Sequence, residues 1–274
     1  MMYFGLDDLR QSYVVAGNEI KKFIRSKRFT IYVVLIFLVL FITTVMTLLF
    51  QDEGLGETPG EVMANYMIYI NLMVVVAATL FASVVIVSEF EERTALILFT
   101  KPVKRTSIFI GKVVGCIILE SIMIIVLYVL LAIIVMAIGG GIPSEFMLSL
   151  GLALVYLVAA SSVAIFLSAV MKKGSTSAII TFFFLFLFLR IFSTAIGDNN
   201  WFMLNIASDS MATVLPEFMD NLNGPFQLVM DATGIDLSKY FFKASDVYMS
   251  TLTMIGWGAV SLILAWIAFI KREF

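Results

Sequence analysis

Glu91 and Glu92 stand side by side in "EFEERTALILFTKPVKRTSIFIGK" (residues 89–112), the pairing a glutamate-dependent membrane protease uses in an E-E-x-x-x-R motif alongside membrane-embedded histidine. Here Leu96 occupies the place of that arginine, and the chain has no histidine at all. A serine intramembrane protease fails for the same reason, as does any His-based metal site or His general base. The single Cys116 excludes an intrachain disulfide. The sequence therefore predicts no catalytic residue, no metal ligand set and no cofactor held by this chain. What remains is charge in two settings. Glu89, Glu91, Glu92 and Arg93 lie with Lys101, Lys104, Arg105 and Lys112 in the quoted run, whereas Glu120 and Arg190 stand inside long apolar stretches.

The elements that hold these charges follow from composition. Hydrophobic residues make up 61% of the 274, charged residues 14%, and the mean hydropathy is +1.03, outside the range of a soluble domain. A net charge of −2 gives nucleic acid no electrostatic foothold. Crossing about 30 Å of hydrocarbon takes roughly 20 helical residues. Six apolar runs meet that length, approximately Phe29 to Phe50, Met63 to Ser88, Ile108 to Ile138, Phe146 to Met171, Ser175 to Ile196 and Thr251 to Ile270. They are apolar all round, so the prediction is an all-α membrane protein with six transmembrane helices, not a barrel. Residues 1–28 form a cytoplasmic amphipathic segment, too long and polar for a signal peptide, and 29–274 the transmembrane domain.

Lys and Arg number 14 in the N-terminal segment, the second and fourth loops and the tail, against two (Lys239 and Lys243) in the remaining loops. By the positive-inside rule both termini are expected in the cytoplasm and the long loop 197–250 outside. In the N-terminal stretch Leu9, Tyr13, Ala16, Ile20 and Phe23 recur at spacings of four and three. That predicts a helix lying on the inner membrane surface, its apolar face in the headgroup boundary and its basic residues near anionic lipid. A plain topology anchor is the alternative. In the charged run, Ala95 to Phe99 is apolar but too short to span, Pro102 stops it, and Lys104 and Arg105 mark the interface. The run is either an ordinary charged loop or a short rigid element through which a soluble partner could move two membrane helices together.

At these residues the chain resembles the ABC-2 type permeases, the membrane subunits of a class of ATP-binding-cassette transporters. Glu91, Glu92, Thr94, Leu98, Phe99, Pro102, Val103, Arg105, Gly111 and Lys112 carry the resemblance, with Arg93 where many members have glycine. Six spans, an amphipathic N-terminal segment, a basic tail "KREF" and a long loop before the last span extend it to the whole architecture. The resemblance implies an ABC-2 (type V exporter-like) fold that dimerises with a second copy or a homologue and binds a separate ABC ATPase, 2:2. Residues 89–107 would hold the coupling helix, an elbow helix would lie beside it, and ATP and Mg would sit on the partner. The chain itself has no P-loop: Gly111-Lys112 is preceded by Thr106 at the first glycine position and followed by Val113.

Glu120 and Arg190 are expected to face protein or a watery path, since each would cost roughly 2.5–3.5 kcal/mol in mid-bilayer lipid. Counted from the inner side their depths differ by roughly 10 Å, so a direct pair needs unequal span starts or snorkelling. Contacts with Ser or Thr on a neighbouring helix, or Arg190 reaching the outer interface, are the other readings. Gly111 and Gly115 form a GxxxG, and "AASSVAIFLSA" in the fourth span is rich in small residues, both suited to close helix packing. "TFFFLFLFLRIF" in the fifth span could face lipid, a dimer partner or an apolar cavity. Loop 197–250 is too long and apolar for a bare connector and predicts short helices at the outer interface, with Trp201 as an anchor. It could gate an exit, dock an extracytoplasmic partner or act as a structural cap, and its scattered acids do not form a calcium loop. An ATP-independent transporter or channel is the competing function; it would be expected to show Gly/Pro-broken helices at midplane or several intramembrane charges, whereas the few prolines here lie in loops. The family points to a bacterial or archaeal plasma membrane.

Overall fold

A computed structural model describes residues 6–50, 56, 58–91, 104–197, 200–218 and 246–272. Its elements are helices α1 (Leu6–Ile24), α2 (Lys27–Phe50), α3 (Pro59–Leu80), α4 (Val87–Glu91), α5 (Arg105–Gly139), α6 (Phe146–Val170), α7 (Gly174–Phe183), α8 (Leu189–Ile196), α9 (Leu204–Thr213) and α10 (Val247–Lys271). A 3-10 turn at Ala82–Val84 sits between α3 and α4, and a π-helical turn at Phe184–Phe188 joins α7 to α8. Among the described residues six runs are long and apolar enough to cross a membrane: Lys27–Leu49, Pro59–Glu91, Arg105–Gly139, Phe146–Val170, Gly174–Ile196 and Val247–Lys271. These are the six spans of the sequence, with ends moved by a few residues. The second begins earlier than expected because "TPGE" is a helix start: Pro59 sits in the first turn, and Thr58 and Glu61 form a reciprocal capping box.

The third span runs for 35 residues, roughly 52 Å at 1.5 Å per residue, well beyond a bilayer's need. Its surplus is where α1 packs. The two helices run in the same direction, with Asp8 beside Lys104, Ser12 beside Ser107 and Ala16 against Gly115. The expected apolar face of α1 is therefore split. Ala16 and Phe23 are buried, whereas Leu9 and Tyr13 are exposed, and the face turned to α5 is largely polar: Asp8, Ser12 and Glu19. The periodicity found an exposed apolar stripe but missed a polar one beside it, because α5 offers polar partners that a membrane surface would not.

The second and fourth spans form the centre. Met63, Met67, Ile70, Val74 and Ala78 of α3 pack with Ala153, Ala160 and Ala164 of α6 in one apolar core. The small residues of the fourth span also receive α10, where a Cβ on Gly258 would lie 3.6 Å from the Ala159 Cα. The first and fifth spans are peripheral, with Phe37, Phe41, Phe183, Phe188 and Ile191 exposed.

Two spans are interrupted without glycine or proline. The second breaks at "LFASVVI" (80–86), where side chains of other spans take over its backbone hydrogen bonds. Glu120 Oε1 accepts from Ala82 N at 3.1 Å, and Ser168 Oγ accepts from Ile86 N and Val87 N at 3.1 and 3.0 Å. Ser177 Oγ donates to the Ser83 carbonyl at 2.6 Å, and Arg28 Nη1 to the Leu80 carbonyl at 3.3 Å. Such substitution lets a membrane helix break without leaving backbone groups bare. The fifth span carries the π-turn within its phenylalanine run, where Phe182 stacks on Phe186 at 5.4 Å.

Residues 198–199 and 219–245 of loop 197–250, where further short helices are expected, lie outside the described residues. The described part of the loop differs most from expectation. Its first helix, α9, does not lie along the outer surface but is buried along its length, in contact with α3, α6, α8 and α10. "NIASDSMA" has no large polar side chain and no wide apolar stripe, so it fits among helices better than on a boundary. Trp201 is exposed as an interfacial anchor would be, and the backbone around it is held by α10: Trp257 Nε1 donates to the Phe202 carbonyl at 2.9 Å.

Candidate functional site

The charged run flanks the end of the bundle where α1, α4, α5, α7 and the C-terminal tail meet. Glu92, Arg93, Thr94, Leu98, Phe99 and Pro102 lie outside the described residues. Glu89, Glu91, Arg105, Gly111 and Lys112 are all placed, and each is engaged. Lys112 projects from α5 between two carboxylates: it binds Glu19 of α1, and Glu89 of α4 at 2.8 Å. Glu89 also receives Lys22 of α1 at 3.1 Å. The Lys112 side chain is 3% exposed, Glu19 7% and Glu89 15%, so this network is desolvated and one side chain ties three helices together.

Neighbouring contacts close the same end. Lys104 binds Asp8 at 2.7 Å, and Ser12 Oγ donates to the Ser107 carbonyl at 3.0 Å. Glu91 accepts from Gly174 N at 2.8 Å, placing a carboxylate at the N-terminus of α7 where the helix dipole favours it. Arg105 Nη1 donates to the Ile270 carbonyl at 3.3 Å. Arg272, just past α10, donates to the Ser168, Ala169 and Met171 carbonyls at the end of α6 and lies 4.1 Å from the Phe90 ring centroid. Partial burial holds its pKa below the ordinary arginine value, which still leaves it charged.

Gly111 and Gly115 form the α1 contact. A Cβ on Gly111 would sit 2.6 Å from the Ser12 carbonyl oxygen, and one on Gly115 2.7 Å from that of Ala16. Both obstacles are backbone, so Gly111→Ala and Gly115→Ala are expected to push α1 off α5. The cost is about 1–3 kcal/mol each by overpacking, read as a lower melting temperature in detergent and faster proteolysis at Arg10 and Lys21.

Glu120 and Arg190 do not pair. Glu120 is completely buried, accepting from Ala82 N and from Ser161 Oγ at 2.5 Å, with Cys116 Sγ 3.6 Å away. Arg190 makes a two-pronged pair with Asp209 of α9 at 2.9 and 2.9 Å, and Asp209 is fully enclosed. Of the readings weighed for them, contact with a Ser on a neighbouring helix describes Glu120, and the two residues serve separate layers: one the break in the second span, the other the inserted loop helix. Glu120→Leu should cost about 1–3 kcal/mol through the orphaned Ala82 amide, while Glu120→Gln, whose carbonyl can still accept, should cost less; denaturant titration separates them.

The partners sequence reading did not single out are Asp8, Glu19, Lys22, Ser168, Asp209 and Arg272. A signal existed for two of them: Asp8 and Glu19, with Ser12, recur at helical spacing beside the apolar stripe of α1. Asp209 had no comparable signal within a loop of scattered acids.

A family model described as ABC-2 family transporter protein matches residues 13–274. The chain belongs to the ABC-2 transporter family. No curated protein matches it. Membership makes this six-span chain the membrane component of an ABC transporter, a transport subunit that is not itself the catalytic part. An ABC-2 permease works with an ABC ATPase, and among the described residues the polar end holds four of the five salt bridges.

Proposed function

We propose that this permease dimerises, binds two ATPase subunits at its polar end, and converts their closure into export of a substrate. The charged run 89–105 carries the coupling element. The observation that supports this most is the Lys112 network: α4 and α5 flank the segment 92–103, and Lys112 locks both to α1 through Glu89 and Glu19. A displacement of the intervening segment would then move α4 at the end of the second span, the start of the third span and the elbow helix as one body, which is coupling through a shared rigid unit. The break at 80–86 gives that body a place to pivot beneath the long part of the second span. The 14-to-two distribution of Lys and Arg supports cytoplasmic termini, with the polar end facing the ATPase. The plasma membrane of a bacterium or archaeon fits the family and the absence of glycosylation sequons in loop 197–250. The exposed apolar faces of the first and fifth spans favour a hydrophobic or amphipathic substrate, if those faces line the path between two copies.

The test is affinity purification of the tagged permease from its host in mild detergent, beside a Glu92→Ala/Arg93→Ala variant that leaves the Glu91 contact with Gly174 intact. Stoichiometric recovery of an ATP-binding-cassette ATPase, weakened several-fold in the variant, is the expected result. A stable permease alone in both preparations would remove the coupling reading and move an ATP-independent transporter, which the two interrupted spans would suit, to first place.

A further inference from the structure

A slot of about 240 Å³ opens on the side of the bundle where the end of α1, the start of α2 and the middle of α5 meet. Its wall is entirely apolar, with Ile20 and Ile24 at one end, Phe29 and Val33 along one side, and Val126 and Leu130 at the far end. Along α5 it extends from Leu119 to Leu130, about 16 Å at helical rise. That is half of a hydrocarbon core of about 30 Å, the depth of one leaflet. Ile20 also borders a second, wider groove between α1 and α5, which Lys21 lines. At the Ile20–Ile24 end of the slot, Lys21, Arg25 and Lys27 are exposed. None of the three forms a salt bridge among the described residues.

We propose that this slot binds one anionic phospholipid, its acyl chain lying between α2 and α5 and its phosphate at Lys21, Arg25 and Lys27. Apolar walls the length of a leaflet with basic groups at one end match a lipid better than an extended protein segment, which would bring backbone polar groups to a wall that has none, and a slot of about 240 Å³ is too small for a helix. The polar side of α1 is already committed to α5, so its exposed apolar stripe and basic edge are the surfaces left for lipid. The lipid would fill the gap beside the α1–α2 corner and steady the helix that Lys112 ties to α4 and α5. The site requires only that the chain sits in a bilayer, so it stands or falls independently of the ATPase partnership.

The test is native mass spectrometry of the full-length permease, with any subunit that copurifies, in detergent doped with equal amounts of phosphatidylglycerol and phosphatidylcholine. Each basic residue near a headgroup favours the anionic lipid by about fivefold, so a preference of at least about tenfold is expected. A Lys21→Gln/Arg25→Gln/Lys27→Gln variant should lose that preference while still retaining lipid, and Val126→Trp, which fills the slot on an exposed face, should lose the bound lipid itself. Replacing Val126 with p-benzoylphenylalanine and irradiating should add the mass of one lipid. Equal retention of both lipids by the unaltered chain overturns the site, as does retention unchanged in both variants, or a photoproduct that is a second copy of the chain or a partner protein.

Discussion

Lys112→Met is expected to lower the stability of the permease by about 3–5 kcal/mol, the usual result of removing one partner from a buried ion pair and leaving the other charge bare. Glu19 would be that charge: its side chain is 7% exposed and Lys112 is its ion-pair partner, whereas Glu89 keeps Lys22. The measurement is the melting temperature of the purified chain in detergent, with Glu19→Gln/Lys112→Met as the comparison. The double variant removes the stranded carboxylate and should recover much of the loss, so a cycle through Glu19→Gln gives a coupling energy well above that of an exposed pair. A Lys112→Met protein that melts with the unaltered chain would mean the network holds nothing together. In the assembled transporter the double variant should fold yet hydrolyse ATP with little transport, because the buried charge that joins α4 to α5 and to the Glu19 side of α1 is gone.

Arg190→Ala is expected to release α9 from its place among the spans. Asp209 is fully buried and Arg190 meets both of its oxygens, so the variant leaves an unpaired carboxylate in the bundle at a cost of about 3–5 kcal/mol. The cheapest escape is for α9 to leave, since it belongs to a loop and not to a span. Cys116 is buried and gives little background, so Ala207→Cys, also buried, reports the release through maleimide labelling. Labelling should rise by at least about tenfold in Arg190→Ala, against the larger ratio that the full cost would allow, and fall back in Arg190→Ala/Asp209→Ala. Unchanged labelling would show that apolar contacts alone seat α9. If α9 does gate the exit, the same variant should leak substrate in the absence of ATP.

Much of the architecture was legible because a bilayer simplifies the physics. Each span must be an apolar helix of fixed minimum length, so six runs in the sequence became six helices, and charges inside them had to find protein. Glu120 did. One partner, Ser161 on a neighbouring span, is of the expected type; the other, the Ala82 amide, could not be read, since it is freed by a break at "LFASVVI" that no glycine or proline announces. The break forms because Glu120, Ser168 and Ser177 arrive from three other spans, a tertiary event that overrides local helix propensity. Likewise the GxxxG of Gly111 and Gly115 announced a close approach but not what approached. The amphipathic reading of α1 went half wrong because it assumed a lipid surface on one side and water on the other, and α5 supplied a third, polar surface.

The sequence by itself determined that this is a six-span membrane protein without histidine or an intrachain disulfide, and its charged run between the second and third spans carried the family. Those properties depend on composition, length and spacing along the chain, which transfer free energies act on residue by residue. Only the tertiary structure decided that Lys112 joins Glu19 to Glu89, that Glu120 serves a helix break, and that Arg190 reaches Asp209 in a loop helix buried among the spans. Buried charge is desolvated wherever it sits, so it settles with whichever opposite charge or free amide the packing brings near, and the sequence separations here, from 19 to 93 residues, place those partners beyond any local pattern.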